Sequence, residues 1–138
     1  MTKDNIQAYI RECADLFGLK DWIVTFEDAK PDGENSLGEA CAIQHRKLGK
    51  IRVADNFWAE TPEDQRYVII HELTHFHLFD VRNAVRDPLF DSRILSNDAY
   101  QLLFYNVDSA LERAVDGIAM SIAKWLPLPP GEMTEAAK

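Results

Sequence analysis

The stretch Val68-Ile69-Ile70-His71-Glu72-Leu73-Thr74-His75-Phe76 decides how the rest of this chain is read. Two histidines four residues apart share one face of an α-helix, one turn above the other. Their imidazoles can converge on a single ion at the ~2.0–2.1 Å that zinc requires. Glu72 follows His71 by ~100° around the helix axis. It can stand beside such an ion without ligating it, take a proton from a zinc-activated water and deliver it to a leaving amine. The H-E-x-x-H pattern is short and recurs by chance in unrelated helices. Here its flanks are unbroken apolar residues, which predict a buried helix. Three polar side chains together in a buried helix need partners, because unpaired polar groups cost free energy. A metal meets that need; a hydrogen-bonded core cluster is the competing reading.

Working outward, Thr61-Pro62-Glu63-Asp64 opens this helix. Thr61 caps, Pro62 suits the first turn, and the two acids favour the positive end of the dipole. The helix is expected to run to about Phe79, followed by a long connection over 80–97 with Asp87-Pro88 inside it. Ser96, Asn97 and Asp98 can cap a last helix. Its apolar set runs through Leu102, Leu103, Val107, Ala110, Leu111, Ala114, Val115, Ile118 and Ile122, and Pro127, Pro129 and Pro130 stop it.

Upstream, Ile6, Tyr9, Ile10, Cys13, Leu16 and Phe17 predict an amphipathic helix over 4–17, closed by Gly18. Residues 22–26 read as a strand, and 38–45 and 50–54 as two more, joined by the turn Arg46-Lys47-Leu48-Gly49. Ile51 and Val53 alternate with Lys50 and Arg52, the pattern of a half-exposed strand at a sheet edge. The order helix, three strands, helix, helix predicts one small α+β domain over residues 1–126. A proline-rich tail, 127–138, is expected to be flexible.

Composition bounds the partners. With 46% apolar and 28% charged residues in 138, the chain can bury one modest core. No apolar run approaches the ~20 residues of a membrane span, and the polar Met1–Asn5 start has no signal-peptide core. Cys13 and Cys41 are therefore expected as two buried free thiols in a reducing, cytoplasmic setting. A net charge of −8 repels phosphate backbones, so neither nucleic acid nor membrane is an expected partner. Nothing in the sequence specifies an oligomeric state.

A census of histidines narrows the third metal ligand. The chain has four, His45, His71, His75 and His77, and none follows His77. His77 lies ~200° from His75 on the helix and so points away from the metal face. His45 sits in a strand or turn upstream, where a surface or substrate-side role is open to it. A downstream ligand must then be a carboxylate. In the last helix Glu112 and Asp116 are four apart on one face amid apolar residues, and an acid pair there needs a cation or donors. Zinc serves Glu112, and the free N–H of a zinc-bound histidine serves Asp116. The competing reading is a solvated stripe of Asp108, Glu112 and Asp116, with Asp108 the alternative third ligand.

His71-Glu72-x-x-His75 followed by Glu112-x-x-x-Asp116 resembles the gluzincin pattern of zinc metallopeptidases. In that clan a later helix gives a glutamate ligand, and an aspartate four residues on orients a ligand histidine. The resemblance implies a minimal zincin-like domain: N-terminal helix, small three-stranded twisted sheet, active-site helix and C-terminal glutamate helix. Its small size is similar to the minigluzincins and the compact zincins of phage and bacteria. One departure is that residues 76–111 separate His75 from Glu112, a longer interval than in the clan's best-known members. The resemblance also implies an extended peptide pairing with an edge strand, for which 50–54 is the candidate; Lys50 and Arg52 could equally be edge-protecting charges.

A site of this kind needs a donor for the oxyanion. Tyr105, seven residues before Glu112 and on its face, is the first candidate, ahead of Tyr100; each could equally be a packed aromatic. The expected function is zinc-dependent hydrolysis of a peptide or protein substrate. Zn2+ would be held by His71, His75 and Glu112, with Glu72 as general base and Asp116 behind a ligand. The rival is a zincin-fold protein that binds a partner without catalysis, or a latent enzyme.

Overall fold

The structure, a computed structural model, describes residues 1–131 apart from 34, 44, 45, 93 and 94, and for 90–92 the backbone only. The fold is α+β. Helix α1 (Ile6–Leu16) leads into strands β1 (Ile23–Phe26), β2 (Gly38–Ile43) and β3 (Leu48–Val53). Helices α2 (Pro62–Ser92) and α3 (Asn97–Ile122) follow, with single-turn 3₁₀ segments at Asp55–Ala59 and Ala123–Trp125.

The sheet order is β1-β3-β2, with β1 parallel and β2 antiparallel to β3. The edge position expected for 50–54 is therefore corrected: β3 is the central strand, and β2 is an edge. Its alternation has another cause. Ile51 and Val53 face the core, while Lys50 and Arg52 look out from the uncovered face and both pair with Glu27. A half-covered sheet gives every strand a polar face, whether central or at an edge. The β2–β3 link falls at 44–47, two residues before the expected turn.

On the covered face β2 offers only small residues, Gly38, Ala40 and Ala42, which pair with Val53, Ile51 and Gly49. That lets α2 lie close to the strand. Phe76 packs its ring onto Gly49, where an added Cβ would collide with the ring. The core joins Ile6, Tyr9 and Ile10 of α1 to Ile51 of β3 and to Ile69, Ile70 and Leu73 of α2. Truncating a side chain such as Phe76 to alanine would cost about 3–5 kcal/mol in a core of this kind.

The start of α2 is as expected: Thr61 Oγ1 accepts from the Asp64 N–H at 3.2 Å and donates to its carboxylate at 2.6 Å. Its end is not. The helix continues through 80–92 with Pro88 inside it, so the connection expected over 80–97 shrinks to the residues after Ser92. Pro88, four residues from the end, has no N–H to give the Ala84 carbonyl, so the helix runs on with one backbone hydrogen bond missing there. On α3, Ser96 caps through the Ala99 N–H, as expected. That helix is less buried than its apolar set suggests: Val115 and Ala119 are buried, whereas Leu102 and Leu103 are exposed.

Beyond α3 the chain is extended, and the Pro127 carbonyl accepts from Tyr9 Oη at 2.8 Å. The first residues of the expected tail are thus held against α1, and 132–138 lie outside the described residues. Cys13 and Cys41 are free thiols; Cys13 is buried as expected, whereas Cys41, on the edge strand β2, is only half-buried. No helix among the described residues is long and apolar enough to cross a membrane.

Candidate metal centre

In the H-E-x-x-H turn the two intervening positions anchor the helix. Leu73 is fully buried, and Thr74 returns its hydroxyl to the Ile70 carbonyl at 2.7 Å. With that face fixed in the core, His71 and His75 project toward α3. Their Nε2 atoms are 3.2 Å apart. From α3, Glu112 places Oε2 3.7 Å from His71 Nε2 and Oε1 3.7 Å from His75 Nε2. Ligands at ~2.0–2.1 Å from a tetrahedral zinc stand roughly 3.4 Å apart. The two imidazoles and the carboxylate therefore fit one zinc ion, and the three ligand atoms all lie within 4.8 Å of one another.

The protonation balance fits as well. Burial pulls the His71 imidazole down, but the Glu112 hydrogen bond and the charges of Glu72 and Asp116 outweigh it and raise its pKa overall. Burial holds His75 below its ordinary value, and the His71 contact holds Glu112 below its own. The directions favour an ionised Glu112 and a neutral His75, both ready to ligate, and the extra proton favoured on His71 is the one a divalent cation would displace.

His71 is oriented from behind. Its Nδ1 lies 3.1 Å from Asp116 Oδ1, the same oxygen that accepts from the Tyr67 hydroxyl at 3.0 Å. Nδ1–H donation to Asp116 leaves the Nε2 lone pair facing Glu112 and His75, the arrangement that tunes a metal-binding histidine. Asp116 thus stands where the sequence pattern expects it. Tyr67 was not singled out, although its position four residues before His71 puts it on the same helix face.

Glu72 is 5% exposed and takes a hydrogen bond from the Ala40 N–H on the outer edge of β2. Burial, with the Glu112 charge adding, pushes its carboxyl up to about 7 despite the opposing His71 and Ala40. A carboxyl near neutrality can both accept and release a proton. It opens onto a cleft of about 450 Å³ between β2 and the two long helices.

Other candidates fall elsewhere. His77 turns to α1, with its ring nitrogen 2.9 Å from the Phe17 carbonyl. Asp108 is bidentate to Arg82 at 2.9 and 3.2 Å, so it is engaged outside the ligand group. Arg82 lies on the unexpected extension of α2, lines the cleft and stacks over Phe104 at 4.8 Å. Tyr105 is 70% exposed and does not line the cleft, because Phe104 and Asp108 carry the contact with α2 at that level. Tyr100 stacks on Phe104. His45 lies outside the described residues. No protein-family model matches this chain, and no curated protein or solved structure matches it significantly.

Proposed function

We propose that this protein is a zinc-dependent peptidase that uses Glu72 as its general base. The observation that carries the reading is the convergence of His71, His75 and Glu112 on one point, with the buried Glu72 carboxyl beside it. The likeness of H-E-x-x-H and E-x-x-x-D to the gluzincin pattern supports the same reading. When bound, zinc supplies Lewis acidity: it acidifies water toward neutral pH and polarises the carbonyl under attack.

The chain's own residues do the rest. Asp116, braced by Tyr67, holds the His71 tautomer that leaves Nε2 free to ligate. Ala40 N–H fixes the Glu72 carboxylate against β2. Glu72 accepts the proton of the attacking water and gives it to the leaving nitrogen, a transfer worth typically ~10²–10⁴ in rate.

The test is Glu72→Gln. This variant is expected to keep one zinc per chain and to lose cleavage of a mixed peptide library. Full residual activity in Glu72→Gln would sink the mechanism. Zinc bound by the wild type with no turnover of any peptide would favour a non-catalytic zinc protein.

A further inference from the structure

Space continues past the Glu72 carboxylate in two directions. The recess of about 450 Å³ follows α2 toward Leu78, Phe79 and Arg82. A second, of about 280 Å³, runs the opposite way to Val68, Tyr67 and Asn35. Ser36, Gly38, His71 and Glu72 line both, so the two recesses form one trough crossing the candidate metal ligands. By helix rise, Tyr67 stands about 6 Å before His71, and Arg82 about 10 Å beyond His75. An extended chain advances ~3.3 Å per residue. The trough therefore has room for roughly two residues on one side of the metal ligands and three on the other.

An enzyme that trims chain ends closes one side of its cleft or holds the terminal charge there, and the strongest hold is a group of opposite sign next to the bond it cuts. Among the described residues, every carboxylate lining the trough is already committed. Glu39 pairs with Arg52 at 3.3 Å and accepts the Asp32 N–H at 3.2 Å. Asp108 holds Arg82, and Asp116 holds Tyr67 and His71. Glu112 faces the two histidines, and Glu72 takes the Ala40 N–H. Among the described residues none is left for an α-ammonium group. The one cation lining the trough among the described residues is Arg82, which is clamped by Asp108 through Nε and Nη2 and stands about three residues from the cutting position. It is too far along to hold the carboxylate of a single residue being released.

Resting on the hydrolase reading above, we propose that the site takes the interior of an extended polypeptide and cuts internal peptide bonds. One water is consumed. Its oxygen and one hydrogen end on the new carboxyl group, the C–N bond breaks, and its other hydrogen passes through Glu72 to the new amine.

The experiment uses the full chain loaded with zinc and one mixed-sequence peptide library in two forms, with free termini and with acetyl and amide caps. The expected result is cleavage at internal positions in both, with capping slowing the rate by less than about tenfold. Slowing by about tenfold or more, or release of single residues from an end, would overturn the internal-bond inference and leave the hydrolase reading standing. Failure to cut either library would overturn the hydrolase reading, and this inference with it.

Discussion

Gly38 at the start of β2 lies flat against Glu72 of α2: a Cβ on Gly38 would come 2.7 Å from Glu72 Oε1 and 2.9 Å from its Cγ. The same Cβ would meet Val68 Cγ1 at 2.9 Å, so the helix cannot give way on that side either. The glycine is needed for space. Gly38→Ala is expected to shift the Glu72 carboxylate while leaving the histidines and Glu112 in place. A displacement of about 1 Å at a reacting group can cost ~10²-fold, so turnover should fall roughly 10–100-fold at unchanged zinc content. In a Glu72→Gln background the same substitution should cost nothing more. Wild-type turnover in Gly38→Ala would show that the carboxylate is not positioned by this contact.

Behind the ligands, Asp116 joins His71 to Tyr67 through one oxygen. Losing such a partner typically weakens metal binding ~10–100-fold. Asp116→Ala is expected to do so in a chelator competition. Tyr67→Phe removes one hydrogen bond of about 0.5–1.5 kcal/mol and should weaken zinc by a few-fold only. Unchanged affinity in Asp116→Ala would reduce the pair to an ordinary surface contact.

What the sequence made legible was local. His71, Glu72 and His75 were legible as neighbours because helix geometry alone fixes their spacing, and Glu112 with Asp116 repeats that logic on α3. The sheet order was not legible, since the parallel pairing of Leu48–Ile51 with Ile23–Phe26 is non-local and leaves no mark on the alternation of β3. One misread boundary hid more. Ending α2 at about Phe79 put Arg82 in a loop, so nothing indicated that Asp108 had a partner. Tyr67 was available by the same four-residue step that linked His71 to His75. Gly38 was not, because its role depends on which strand meets α2.

The Arg82 clamp separates the two carboxylates that compete for third ligand. Glu112 lies 3.7 Å from both histidine nitrogens, whereas Asp108 is held at 2.9 and 3.2 Å by Arg82. Glu112→Ala is expected to lose most of its zinc after dialysis, and Asp108→Ala to keep one per chain. The Arg82–Asp108 pair is partly exposed, so its loss should cost no more than about 1 kcal/mol of stability. Zinc retained in Glu112→Ala would move the third ligand elsewhere.

Away from the site, α1 carries a pH dependence of its own. Cys13 is fully buried, and burial pushes its thiol up to about 11 from the 9.0 of an exposed cysteine. The adjacent Tyr9 hydroxyl is raised in the same direction by burial. The folded state keeps the Cys13 proton where the unfolded chain has released it. Stability from this group is therefore complete below about pH 9 and is lost as pH climbs toward about 11. At 1.36 kcal/mol per pKa unit, the loss is about 2–3 kcal/mol. Cys13→Ala removes the titration, though it leaves a small void and lowers stability at neutral pH. Urea unfolding across that alkaline range should show the gap between wild type and Cys13→Ala closing by about 2–3 kcal/mol. Tyr9 continues to destabilise both at the upper end. Parallel stability curves for the two proteins would mean that the Cys13 thiol ionises as readily folded as unfolded.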